Sequence, residues 1–242
     1  MNRTIYLIPG VGADETVFQN LRFPPNYEIR HIQWIKPENG EDVEAYAKRL
    51  LPQIDPNTQP VFVGLSFGGI VSIELAKLTS AARTILISSI KTASEKPLKV
   101  SLLSMLEFYR WFPARVLTYF DFWHGWAFGK LSSEEHDMIK KMISNIDIEF
   151  NEWAVHQAIN WRNMERLENV IHIHGDRDNI FPSIHLRNYI KIKGGTHFMI
   201  VRRAEEINRI LNIVLKYENL YNKKSAQEVA SGFKIKRKEI IK

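Results

Sequence analysis

Six consecutive residues, Gly64-Leu65-Ser66-Phe67-Gly68-Gly69, place a serine between closely spaced glycines. A Gly-x-Ser-x-Gly pentapeptide arises often by chance, so its meaning depends on what flanks it. The apolar run Val61-Phe62-Val63 before it reads as a buried strand, and the residues after it read as a buried helix. A strand that turns into a helix so abruptly leaves no room for side chains at Gly64 and Gly68. The turn pushes Ser66, at its tip, into a strained backbone conformation with its hydroxyl outward. The helix N-terminus adds backbone N–H groups and a dipole that favours negative charge. These are the parts of a nucleophile built to attack a carbonyl carbon. The plainer alternative is a glycine-rich turn with a capping serine.

A second constellation is His172-Ile173-His174-Gly175-Asp176. It sets two histidines on one face of a strand with a carboxylate just beyond, a spacing that can bind zinc. The fuller binuclear pattern His-x-His-x-Asp-His fails, because Arg177 stands at its last place. Packed or hydrogen-bonded strand histidines are the commoner outcome, so a metal-dependent hydrolase using His172 and His174 stays a minor alternative. The chain has no cysteine, which excludes disulfides, thiolate metal sites and a cysteine nucleophile.

The elements that must carry these residues alternate. Strands are expected at 4–8, 28–34, 60–64, 83–88, 169–174 and 189–193, and continuously apolar runs such as Thr84-Ile85-Leu86-Ile87 suit strands covered on both faces. Helices are expected at 41–54, 68–79 and 200–218. In the last, Ile207, Ile210, Leu211 and Val214 form the face of a helix lying on a sheet. The alternation implies βαβ units and a mostly parallel sheet. From about 92 to 165 the alternation stops. This stretch looks helical throughout and reads as an insertion, and its middle, 108–128, holds ten aromatic residues.

With these features assembled, the chain over roughly 4–218 resembles the α/β-hydrolase superfamily, close to small bacterial serine hydrolases with a helical cap. The resemblance implies a sheet of about six strands with helices on both faces and an inserted helical cap. It divides the chain into a core of 1–91 and 166–218, a cap of 92–165 and a basic tail of 219–242. It also implies the chain order nucleophile, acid, histidine. The acid then falls in the loop Gly175-Asp176-Arg177-Asp178, at Asp178 by the family's Gly-x-x-Asp pattern, with Asp176 as its competitor. The histidine falls in Gly194-Gly195-Thr196-His197, at His197. The oxyanion hole falls on the backbone N–H groups of Val11 and Phe67. Here the chain departs from the family, since Pro9 stands where a histidine is usual, but the donor is a main-chain amide. The early antiparallel strands of larger relatives have no counterpart, because the first strand starts at residue 4.

A Ser66–His197–Asp178 triad implies an acyl-enzyme mechanism on a small-molecule acyl substrate, with a small apolar or aromatic ester as the expected class. No metal or organic cofactor is needed. The alternative from another class is a non-catalytic protein of the same fold that binds a small apolar ligand under the cap.

Length and composition agree with this. The 242 residues are 45% hydrophobic and 25% charged, as in an ordinary globular domain. The formal charge of +6 is concentrated, since 219–242 carry seven Lys/Arg and two Asp/Glu. The remainder is near neutral, which argues against nucleic acid as a partner of the body. The chain begins without a leader-like segment and holds no membrane span, so the cytoplasm is the expected compartment. The sequence gives no oligomeric state.

Overall fold

The computed structural model describes residues 3–97, 131–144 and 147–216. Six strands form one parallel sheet: β1 (Arg3–Ile8), β2 (Tyr27–His31), β3 (Val61–Leu65), β4 (Arg83–Ile87), β5 (Val170–Gly175) and β6 (Ile190–Ile192). Their order across the sheet is β2-β1-β3-β4-β5-β6. The chain therefore begins at β1, fills one edge with β2, returns past β1 to β3 and runs to the other edge.

Side chains alternate between the two faces of each strand. Ile5, Leu7, Val63 and Ile85 share one buried cluster with Ile207, Leu211 and Val214 of α6 (Ala204–Lys216). Tyr6, Ile8, Phe62 and Leu86 face the other way, into a cluster with α1 (Val43–Leu50) and α2 (Phe67–Leu78). Helices thus cover both faces, and the central strands are buried along their whole length. Such two-sided burial is what the continuously apolar runs require.

Most boundaries lie within two residues of the sequence expectation, and three elements depart further. β2 ends at His31 rather than reaching 34, because its only neighbour in the sheet is β1 and their register stops at Leu7 opposite His31. The helix expected over 41–54 stops at Leu50. Pro52, in the short 3₁₀ turn Leu51–Gln53, has no N–H with which to continue it. The helix expected over 200–218 is broken into α5 (Met199–Arg202) and α6. At Arg203 the amide closes back on the Met199 carbonyl at 2.7 Å while the backbone leaves helical geometry.

Between β4 and β5 the described residues include two further helices, α3 (Ser133–Ser144) and α4 (Ile148–Asn160). The aromatic run 108–128 and the tail 219–242 lie outside the described residues. α4 packs on α2: Phe150 meets Phe67 edge-on with ring centroids 6.5 Å apart. Among the described residues, no helix is long and apolar enough to cross a membrane.

Candidate active site

A parallel sheet gathers its βα turns at the carboxyl ends of its strands. Val11 follows β1 and Ser66 follows β3, which are neighbours. Asp178 follows β5 and His197 follows β6, also neighbours. Residues remote in sequence therefore meet on one edge.

Ser66 sits between β3 and α2 with φ 52° and ψ −119°. A non-glycine residue rarely adopts positive φ, and this strain persists only where the surroundings enforce it. Here the Ser66 N–H bonds to the Ile87 carbonyl at 3.0 Å. The Ser66 carbonyl accepts from the Gly69 amide at 2.9 Å and from the Ser89 hydroxyl at 2.6 Å. The flanking glycines are required by contact. A Cβ on Gly68 would strike the carbonyls of Ile8 and Pro9, and one on Gly64 would strike Ser72 and the Gly68 carbonyl. Ser66 itself is half-buried at the end of β3.

The Ser66 Oγ lies 3.0 Å from His197 Nε2, and His197 Nδ1 lies 2.8 Å from Asp178 Oδ2. The other carboxylate oxygen, Oδ1, accepts from the backbone N–H groups of Ile180 at 2.8 Å and Phe181 at 2.9 Å. Asp178 is 3% exposed. Burial alone would push its carboxyl up. The His197 ring with its hydrogen bond, then His174 and the Phe181 N–H, outweigh burial and hold it below the ordinary carboxylate range. An ionised carboxylate only accepts, so His197 carries its proton on Nδ1. In the neutral ring, Nε2 is then the acceptor that faces the Ser66 hydroxyl.

The competing aspartate has another task. Asp176 Oδ1 accepts from the Gly194 N–H at 2.6 Å, and the Arg177 amide bonds to the Gly195 carbonyl at 2.9 Å. These contacts stitch the β5 loop to the β6 loop, so that Asp178 and His197 are carried on one joined surface.

His172 and His174 do not form an open ligand pair. The Phe181 carbonyl can only accept, so His174 donates to it from Nε2 at 2.8 Å. His174 Nδ1 is then an acceptor, met by His172 Nε2 at 3.2 Å. Both rings are buried, and burial depresses both from the ordinary imidazole range, most strongly at His172. They are neutral packing groups that brace the Asp178 loop, and His174 Nε2 stands 3.5 Å from Asp178 Oδ2. Among the described residues, no cluster of three or more His, Asp or Glu is placed to hold a metal ion.

The loop after β1 closes the other side of the serine. A Cβ on Gly10 would come within 3.1 Å of Ser66 Cβ, so this loop rests directly on Ser66. The Ala13 N–H bonds to the Gly10 carbonyl at 3.2 Å, and Gly12 has φ 71°. That is a turn needing glycine at its third position, and it presents Val11 at its second. Across from it stands the N–H of Phe67, the first residue of α2, a position with no intrahelical acceptor. Two residues at this site carry no sequence signal: Ser89, which holds the Ser66 carbonyl, and Asn151 of α4, whose Oδ1 accepts from the Gly12 N–H at 3.1 Å. Neither belongs to a motif, because each acts through one contact to backbone.

No protein-family model and no curated sequence matches the chain. Solved structures resemble it closely in fold. MenH from S. aureus superposes with a TM-score of 0.71 at 17% identity, covering 90% of this chain and 95% of the other. The enol-lactonase from Burkholderia xenovorans LB400 gives 0.64 at 13% identity, covering 89% and 92%. An esterase from Exiguobacterium antarcticum gives 0.64 at 14% identity, covering 88% and 92%. At such identities the likeness is one of architecture.

Proposed function

On an α/β-hydrolase fold, which this chain has, we propose that Ser66, His197 and Asp178 form the catalytic triad of a serine hydrolase. The proposed substrate is a small apolar or aromatic ester. One observation carries the reading: the unbroken relay from Ser66 Oγ through His197 to Asp178, at 3.0 and 2.8 Å.

A serine hydroxyl is a weak nucleophile at neutral pH and needs an adjacent base. His197 Nε2 takes its proton as Oγ attacks the carbonyl carbon. Asp178 holds the imidazole in the required tautomer and stabilises the imidazolium. The N–H groups of Val11 and Phe67 receive the oxyanion of the tetrahedral intermediate, where each donor is worth about 10²–10³ in turnover. His197 then gives its proton to the departing alcohol, and water, activated by the same ring, releases the acid from Ser66. The ester class is supported by the apolar character of the site. The Phe181 ring lies 5.8 Å from the His197 ring and Trp34 lies 6.0 Å from Phe67, so aromatic rings pack around the proposed catalytic groups. It is supported also by the esterases and the enol-lactonase among the structures of like fold. Within the segment 92–165, α4 reaches the serine loop through Phe150.

A series of p-nitrophenyl esters from acetate to dodecanoate tests the substrate class. The expected result is rapid hydrolysis of the short members and of an added p-nitrophenyl benzoate, falling along the longer chains. Absence of turnover across the series would remove the ester reading.

A further inference from the structure

Two neighbouring residues of α4 touch both halves of the proposed oxyanion hole. Phe150 packs its ring edge-on against Phe67, whose backbone N–H is one donor. Asn151 Oδ1 accepts from the N–H of Gly12, the residue after Val11, whose N–H is the other. Both α4 residues are buried, at 6% and 8% exposure. We infer that α4 is a clamp on the oxyanion hole and that Asn151 is a positioning residue, so that the spacing of the two donors depends on how α4 is seated. The inference rests on the hydrolase reading and extends it to a residue outside the triad.

The local construction fits this role. The Asp147 side chain caps α4 by accepting from the Phe150 N–H at 3.1 Å, which fixes where the helix starts and so where its first turn points. Phe150 also stacks 5.0 Å from Trp34, and the Trp153 indole N–H donates to the Glu41 carbonyl at 2.8 Å. The helix is therefore seated by apolar contacts, by hydrogen bonds from Trp153 and from Lys96 to the Ile159 carbonyl, and by the Lys36–Glu149 ion pair, while Asn151 reaches the Gly10–Ala13 turn. Within that turn the Ala13 N–H is already engaged by the Gly10 carbonyl. Holding the Gly12 N–H on Asn151 fixes the peptide plane next to Val11 and stops the turn from rolling. An oxyanion hole works because its donors are in place before charge develops. A loop displaced by about 1 Å can lose about 10²-fold in rate. The interaction belongs to the transition state more than to substrate binding, so its loss falls on kcat.

Asn151→Leu tests the clamp. It keeps side-chain volume, removes the acceptor and leaves the Gly12 N–H without its partner. Wild type and variant are titrated to completion with a fluorophosphonate, and turnover of p-nitrophenyl butyrate is expressed per titratable Ser66. The expected result is a fall of about 10–100-fold in kcat per site with KM within about threefold. A purely structural Asn151 would lower the unfolding temperature and the number of titratable sites, but not kcat per site, and that outcome overturns the inference. A wild type that takes no label removes the hydrolase reading and the clamp together, which separates the two failures. Amide hydrogen exchange at Gly12 in the wild type needs no variant. Slow exchange supports the clamp, and exchange at the rate of an open loop overturns it.

Discussion

Ser66→Ala lowers kcat/KM for a p-nitrophenyl ester by at least about 10³-fold. The expectation follows from what Oγ does in the proposed mechanism: it forms the bond to the carbonyl carbon. His197 could still activate a water, and the oxyanion donors would still be in place, so a residue of catalysis over solvent survives. The fold survives as well. Ser66 is held through its backbone, by the Ile87 carbonyl, the Gly69 amide and the Ser89 hydroxyl, and its side chain makes no contact on which the core depends. Removing Oγ therefore separates activity from stability. The unfolding temperature should stay within a few degrees while the rate collapses. Comparable rates in the two proteins would contradict the role given to Ser66.

Asp178→Asn lowers kcat on the order of 10⁴-fold, the scale seen when a triad acid becomes its amide. The geometry dictates the reason. Oδ1 accepts from the amides of Ile180 and Phe181, so that position must remain an oxygen. An asparagine then has its NH₂ at the Oδ2 position, facing His197 Nδ1 at 2.8 Å. A donor there forces Nδ1 to accept and moves the imidazole proton to Nε2. Nε2 lies 3.0 Å from Ser66 Oγ and can no longer take the hydroxyl proton. The base is lost without any atom moving. Asp176→Asn supplies the contrast: it keeps an oxygen for the Gly194 N–H and should leave kcat within about threefold. Steady-state kinetics on the two variants distinguish the aspartates. A greater loss in the Asp176 variant would reverse the assignment.

Much of this architecture is written plainly in the residue pattern, because buried parallel strands and sheet-packing helices have strong periodicities. Val61-Phe62-Val63 and the Ile207, Ile210, Leu211, Val214 face declare themselves through burial, which is a local property of the chain. The ends of elements depend on neighbours and are less legible. β2 stops at His31, where its register with β1 ends, and no proline or glycine announces the break at Arg203. At the site, Ser66 is legible because a sharp strand-to-helix turn needs glycines around it. The pairing of Asp178 rather than Asp176 with His197 depends on how two loops are stitched together, which spacing alone does not reveal. The histidine pair was ambiguous for a similar reason. His172-x-His174 is the same string whether the rings face an ion or each other, and the sequence does not show that His174 Nε2 meets the Phe181 carbonyl. Asn151 had no signature, since one side-chain oxygen meeting one backbone amide 139 residues away leaves no mark on the sequence.

The most direct measurement is the mass of the intact wild-type protein after incubation with a fluorophosphonate, followed by peptide mapping. The account predicts a single phosphonyl adduct per chain, carried by the peptide containing Ser66, with no adduct in Ser66→Ala. An unmodified wild-type protein, or an adduct carried by another residue, would contradict it.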